Sequence, residues 1–578
     1  MEDRTFHVPR HTGPTIFPAH PLFNRLVRFA HAVPPRLCVR DNNTGLEATH
    51  VQVLTDVLAF RQRIWASLSS EVQKQLDQRE EVYIAILAGG GYEYTVAMLA
   101  ALAVGAAVVP MTVALPPEEA LYFATKSRAA AVLCSSAAIE LGTALEKLVK
   151  DQDLGSTFTC IPVTPSLHNP PLHPSTIKVS SDQYLSDNAP GVVIFTSGTT
   201  GPPKGAVMRR GFVHDTALAV ADHYNLGPSD TMLHLLPVHH ATGIGINFFP
   251  CLFSGCLIEF KSGSFSAEWT WERWRRGGVT VFSGVPTIYM RMMRYFEQKL
   301  AERDNVTEYL QGARKIKACL CGTSALPKPI ADFWAQILGK KIMLRYGATE
   351  FGAVFKVRLG DENVPDGSVG TMFAGGDVKL RNEETGEYGD EGEVVIRSPA
   401  GEMFSKYIWD PEATAKAHTS DGYYRSGDIA RRDEDGYHFI LGRASIDIIK
   451  SGGYKISALD IEREILALPY VAEVMVVGVA DLEFGERVAA AIVLKDASDQ
   501  KGEPVEDLRI ERLRQDLRVR LAGYKMPTIL RIIEGELPKS GTGKVVKKVL
   551  GPQFFPRNYL ETKEVQAWAP TEGSKAKL

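Results

Sequence analysis

The residues best suited to chemistry lie in one string, Val192–Val207, which reads VVIFTSGTTGPPKGAV. An apolar strand runs into a loop with hydroxyls at Thr196, Ser197, Thr199 and Thr200, glycines at Gly198 and Gly201, and a cation at Lys204. Glycines let backbone N–H groups approach a polyphosphate closely, and the hydroxyls add donors. The string is not a Walker A loop, which needs Gly before its lysine and Ser or Thr after it. Nor is it a nucleophile elbow, because Ser197 lacks the leading Gly of G-x-S-x-G. A second glycine-rich segment, Leu537–Lys544 (LPKSGTGK), is a weak signal by itself. The seven cysteines are odd in number and scattered, so they do not read as a disulfide framework. Cys319 and Cys321 have no second pair or clustered His beside them; they read as buried strand thiols rather than a zinc site, in a reducing compartment.

Such groups need a scaffold, and composition bounds what it can be. The 578 residues allow about four domains at roughly 150 residues each. Hydrophobic residues at 45% and charged residues at 23% exclude general disorder. The 50 Gly and 33 Pro follow no period, which excludes collagen-like and low-complexity chains. A net charge of −3 leaves no footprint for nucleic acid and no polybasic membrane patch. The first residues lack an apolar h-region, and the longest apolar stretch, Ala97–Pro110, is too short for a bilayer span. The expectation is a soluble chain. Its last residues, Ala576-Lys577-Leu578, resemble the S-K-L type of peroxisomal address, so an import receptor is an expected partner and the cytoplasm the alternative location.

The elements that must position the loop alternate. Val82–Leu87 reads as a buried strand, Tyr94–Val104 as an amphipathic helix, Ala106–Met111 as a strand, a helix starts near Pro116, and Ala130–Cys134 is a strand. The pattern recurs at Asp230–Pro237, Thr280–Val285 and Lys315–Cys321, which predicts βαβ units and parallel sheets. From Gly367 the texture changes to short strands with Gly/Asp turns, an antiparallel β region. After Gly442 a compact α+β segment follows, with helices over Ser457–Leu468 and Ile510–Leu521 and strands over Ala472–Val479 and Arg487–Leu494. The expected fold is α/β: a large N-terminal domain of packed βαβ subdomains plus a β region over 1–441, a small mobile α+β domain over 442–556, and a tail over 557–578.

Further strings in register with the first are Arg345–Gly352 (RYGATEFG), Tyr424–Asp428 (YRSGD), Gly442–Glu462 (GRASIDIIKSGGYKISALDIE) and Leu537–Lys544. On these five motifs the chain resembles the adenylate-forming superfamily of acyl-CoA synthetases, adenylation domains and luciferases. The resemblance implies that Thr196, Ser197, Gly198, Thr199, Thr200, Gly201 and Lys204 bind the ATP phosphates. It places Gly322, Thr323, Ser324, Tyr346 and Gly347 around the adenine and Thr349 on the α-phosphate. Glu350 then holds Mg²⁺, a hard cation that takes oxygen ligands. Asp428 and Arg443 contact the ribose, Asp447 is the hinge, Ser451, Gly452 and Gly453 line a coenzyme A tunnel, and Lys544 is the catalytic lysine. The implied cofactors are ATP, Mg²⁺ and CoA. The implied reaction is acyl-AMP formation followed by thioester formation, with AMP and pyrophosphate released. A fatty-acyl-CoA ligase, a carrier-loading enzyme and a luciferase-like oxygenase share these motifs.

Which acid enters depends on local departures. Many family members have Gly before the motif tyrosine; Arg345 stands there, as in malonyl-CoA synthetases, where it binds a distal carboxylate. LPVHHATG at Leu236–Gly243 and GVPTIYMRMM at Gly284–Met293 also resemble that subfamily and add His239, His240, Thr242 and Arg291 to the expected acid pocket. His239 and His240 either shape its floor or touch substrate. Thr242 replaces a histidine common in that subfamily, so longer, methylated or hydroxylated acids stay open beside malonate. The structural alternative for Arg345 is a salt bridge with a neighbouring acidic side chain.

Overall fold

The computed structural model describes residues 13–568 apart from 156, 197–201, 323–324, 374–375, 398–402, 445, 452–453, 483, 497–499, 501–504, 506 and 540–544. Val, Ile, Leu and Ala runs form two sheets whose strands are buried on both faces, as parallel sheets require. The first has seven strands in the order Phe404–Tyr407, Lys204–Arg209, Pro190–Thr196, Ala107–Met111, Tyr83–Leu87, Ala131–Cys134 and Thr159–Pro162. Its last five strands run parallel, while Lys204–Arg209 returns antiparallel to Pro190–Thr196. The second has nine strands, with Met343–Ala348, Ala318–Cys321, Val281–Gly284, Thr231–His234 and Leu257–Phe260 at its parallel centre. The alternation read from the sequence is therefore present, with strand limits moved inward by one to three residues.

The helix Tyr92–Val104 differs from expectation. It is not amphipathic, because 11 of its 13 residues are buried. An all-apolar helix belongs between layers rather than on a surface, and this one packs against the helix His50–Ser67. Its Gly91 N-cap has no side chain to offer; Asp41, from the second sheet, supplies the cap by accepting from Tyr92 N at 3.0 Å. Another apolar layer covers the second sheet through Trp271, Trp274 and Trp334, all fully buried. Burying each such ring is worth roughly 5 kcal/mol in area terms.

The β region is a five-stranded antiparallel sheet in which Glu391–Arg397, Tyr424–Arg432 and His438–Arg443 lie side by side. Beyond it, Val471–Asp481 and Gly485–Leu494 form a long hairpin within a six-stranded sheet. The two buried clusters on this sheet contain only residues after Ser445. The expected tail from 557 is corrected in part. Residues Val565–Ala567 pair antiparallel with Ile529–Ile532, Gln566 bonds Ile510 N and Leu508 O, and Trp568 lies 3.8 Å from the Arg514 guanidinium. A three-residue edge strand is too short to show a period, which is why the sequence read it as tail.

Six of the seven cysteines are buried and Cys160 is half-buried, all as free thiols. Burial pushes the Cys319 and Cys321 thiols up to about 12, so they are inert core groups. Among the described residues no helix is long and apolar enough to cross a membrane.

Candidate active site

In open α/β sheets the carboxyl ends of the strands face the ligand crevice, and the motif residues gather there. Strand Met343–Ala348 pairs with Gly352–Lys356 through a tight reversal. A Cβ on Gly347 would sit 1.9 Å from the Gly352 carbonyl oxygen, so only glycine fits. Tyr346 stacks on Phe355 with ring centroids 5.7 Å apart. Its hydroxyl donates to Asp428 Oδ2 at 2.7 Å, and Arg443 Nε donates to Asp428 Oδ1 at 2.9 Å. Asp428 and Arg443 face each other in register on adjacent strands. Burial, and then the Asp428 carboxylate, push the Tyr346 phenol well above its usual range and keep it a donor. Asp428 retains acceptor capacity beyond these two bonds.

The turn after Ala348 carries Thr349, half-buried, and Glu350, which is 8% exposed. Glu350 Oε1 accepts from the Tyr407 hydroxyl at 2.8 Å, and that hydroxyl lies 3.3 Å from the Tyr424 hydroxyl. Lys204 Nζ sits over the face of the Tyr407 ring, 5.2 Å from its centroid. Burial, and then Glu350, raise the Tyr407 phenol, so it donates. Tyr407 therefore touches both the acid of one motif and the base of another. Sequence reasoning missed it, and nothing in its neighbourhood (FSKYIW) marks it. No described basic group is ion-paired with Glu350. A buried carboxylate with one neutral donor and no cation fits a hard divalent ion. Thr196 ends strand Pro190–Thr196 and donates to Lys204 O at 3.3 Å, which fixes where the ladder opens into the loop.

Arg345 points to the side of its strand opposite Tyr346, as alternate residues must. It is 7% exposed. Nη2 donates to Ser283 Oγ at 3.3 Å, whereas Nη1 is buried and has no hydrogen-bond partner among the described residues. Among the described residues no Asp or Glu forms an ion pair with it, so the salt-bridge alternative is not found. Gly322 lies against it: a Cβ there would come within 3.0 Å of Arg345 Cγ. Ser283 is the second residue that sequence reasoning missed, and a lone polar side chain in the apolar strand Val281–Gly284 was its signal.

His239 and His240 follow the strand Thr231–His234, with ring centroids 4.6 Å apart. Burial, and then His240, lower His239 to about 4, so it is neutral at neutral pH. Thr242 precedes the helical segment Gly243–Phe248 and is half-buried. Arg291 is exposed on helix Pro286–Tyr295, whose Tyr289 and Met292 face the core, and it does not share the burial of Arg345.

Asp447 Oδ2 accepts from Arg443 N at 3.0 Å, and Ser451 ends the strand Ile448–Ser451. Ser197, Gly198, Thr199, Thr200, Gly201, Thr323, Ser324, Gly452, Gly453, Lys544 and Ala576, Lys577 and Leu578 lie outside the described residues.

The chain matches the AMP-binding enzyme family over residues 67–408 and the AMP-binding enzyme C-terminal domain over residues 460–544. It is 34% identical over 491 residues to the malonate–CoA ligase of Arabidopsis thaliana, covering 81% of this chain and 77% of that protein. It is 33% identical over 509 residues to the mitochondrial malonate–CoA ligase ACSF3 of Xenopus laevis, covering 82% and 83%. Among solved structures, ATP-bound MatB from Rhodopseudomonas palustris superposes with a TM-score of 0.75 at 25% identity, covering 93% of this chain and 99% of that one. Enzymes of this kind use ATP, Mg²⁺ and CoA, and the carboxylates of Asp428 and Glu350 fit the first two. The chain belongs to the AMP-binding enzymes, the adenylate-forming superfamily, as an AMP-forming acid–CoA ligase of the malonyl-CoA synthetase-like kind.

Proposed function

We propose that this ligase activates a small dicarboxylic acid of the malonate type. The reaction joins one carboxylate oxygen of the acid to the α-phosphorus of ATP and releases pyrophosphate. The thiol of CoA then attacks the acyl carbon and AMP leaves. The observation that carries the acid is the buried Arg345 guanidinium, whose Nη1 is unpartnered among the described residues. An uncompensated buried cation is costly, and a second carboxylate on the substrate satisfies it with a charge-assisted bond. Monocarboxylic fatty acids bring no such anion.

In this reading Asp428 accepts from the ribose hydroxyls, with Tyr346 and Arg443 holding it in place. Glu350 holds Mg²⁺, which neutralises charge on the phosphates when bound. Tyr407 fixes the Glu350 carboxylate, and the hydroxyl–glycine loop with Lys204 cradles the phosphates. Negative charge gathers on the phosphate oxygens in the transition state, so positioned cations contribute most of the acceleration. Lys544 supplies one of them, on a small domain that turns about Asp447 and lets Ser451, Gly452 and Gly453 face the CoA arm. Division into 1–441 and a mobile later part that reaches past 556 to include Val565–Ala567 is supported by the separate apolar clusters of that part. His239, neutral, serves the pocket as a hydrogen-bonding wall rather than a charge.

The test is ATP–pyrophosphate exchange with malonate, methylmalonate, longer diacids and medium-chain fatty acids, followed by CoA as acceptor. Exchange greatest with a short diacid and a CoA-dependent thioester support the proposal; exchange greatest with a fatty acid overturns it. Peroxisomal import is a separate proposal, resting on the resemblance of Ala576-Lys577-Leu578 to the S-K-L address. A reporter carrying this tripeptide that remains outside peroxisomes would refute it.

A further inference from the structure

Asp447 does more than mark a hinge. Its Oδ2 accepts from the backbone N of Arg443, and its Oδ1 accepts from Lys547 Nζ at 2.6 Å. The same ammonium lies 2.7 Å from Glu462 Oε1, and Glu462 Oε1 also accepts from Val476 N at 2.7 Å. All three side chains are nearly enclosed, at 14% exposure for Asp447, 11% for Lys547 and 14% for Glu462. Burial works against the Lys547 charge, but Glu462 and Asp447 overcome it and hold the lysine above its ordinary range. Lys547 opens helix Lys547–Phe554 and stands three positions after Lys544 in the chain. On the other side Arg443 pairs with Asp428, the proposed ribose acceptor.

A continuous run of polar contacts thus joins the nucleotide side to the segment that carries the proposed catalytic lysine. One carboxylate grips both banks of the hinge: the backbone before it and the helix that follows the lysine motif. Gly442 packs closely against this side chain, because a Cβ there would lie 2.3 Å from Asp447 Cβ. We infer that Lys547 is a positioning residue for acyl-adenylate formation, clasping the hinge carboxylate of Asp447 so that the C-terminal segment is held toward the nucleotide. Turning the small domain for the thioester step requires one arm of the clasp to open. Lys547 touches no substrate; its effect passes through Asp447. The inference rests on the hinge and ligase readings above.

The experiment compares full-length wild type with Lys547→Met, Lys547→Arg, Asp447→Asn and the Lys547→Met/Asp447→Asn double variant. Two half-reactions are measured: pyrophosphate exchange with the preferred acid, and thioester formation from a supplied acyl-adenylate and CoA. Wild type that exchanges with no acid refutes the ligase reading itself, before any variant is read. With active wild type, Lys547→Met should lower the kcat of exchange at least tenfold, leave KM for ATP within threefold, and lower thioester formation less than threefold. Lys547→Arg should recover exchange to within threefold of wild type. The double variant should be no worse than the poorer single variant. Equal loss in both half-reactions, or losses that multiply in the double variant, would overturn the clasp. A readout independent of activity covers variants with poor turnover: trypsin should cut after Arg443 at least fivefold faster in Lys547→Met and Asp447→Asn than in wild type, and an unchanged rate contradicts the inference.

Discussion

The two sides of the crevice are built differently. On the nucleotide side the described polar groups have protein partners: Tyr346 and Arg443 on Asp428, Tyr407 on Glu350, Lys204 over the Tyr407 ring. On the acid side, among the described residues, a buried guanidinium beside Tyr224 leaves Nη1 without a hydrogen bond, while Nη2 donates to the Ser283 hydroxyl. Groups that bind an invariant substrate can be pre-paired, since pairing lowers the reorganisation needed at reaction. A group that selects among substrates must leave its strongest bond for the ligand, because an unpaired buried charge penalises every acid that fails to complete it. In the proposed reading the paired side serves adenylation and the open side is where the acid is selected.

That contrast can be broken at several points. Lys544→Ala should lower acyl-adenylate formation about 10²–10³-fold, the usual cost of one transition-state donor, while largely sparing thioester formation from a supplied adenylate. Equal loss in both steps would contradict a role confined to the nucleotide side. Tyr407→Phe removes one bond of the paired network and keeps the ring under Lys204. About fivefold lower exchange is expected, with a raised Mg²⁺ requirement and calorimetric Mg²⁺–ATP affinity reduced to match; an unchanged Mg²⁺ titration would remove Tyr407 from the site.

A third prediction concerns pH. Burial, as the first cause, holds His50, His223, His234, His239 and His438 each down to about 4. Unfolded histidines take up protons near 6.5, so the stability from keeping these rings neutral is full above that value and is lost as pH falls toward 4. The unfolding midpoint should drop by roughly 5 °C or more between pH 6.5 and 4.5. A midpoint flat over that window would show that the rings are not held neutral. The smallest effect belongs to Arg291→Ala. Exposed and outward-facing, it should change kcat/KM for a diacid by less than about twofold. A large loss would return Arg291 to the acid pocket.

What was legible in the sequence follows the same division. Motif residues such as Thr196, Tyr346, Glu350, Asp428 and Arg443 could be named because the short strings that hold them resemble those of a known family. Their supports could not. Tyr407 reaches Glu350, Ser283 reaches Arg345 and Lys547 reaches Asp447 across sequence gaps that only tertiary packing closes. The βαβ alternation was readable from apolar runs. The segment Tyr94–Val104 reads as an amphipathic helix, whereas the helix Tyr92–Val104 is buried on nearly all sides.

The central claim is that Arg345 reads a second carboxylate. Arg345→Met keeps side-chain bulk and removes the charge, so the decisive quantity is the ratio of kcat/KM for malonate to that for butyrate, in wild type and variant, by pyrophosphate exchange. The account predicts a ratio well above one in wild type that falls about 100-fold in Arg345→Met, through loss of malonate rather than loss of butyrate. A parallel decline for both acids, leaving the ratio unchanged, would contradict it.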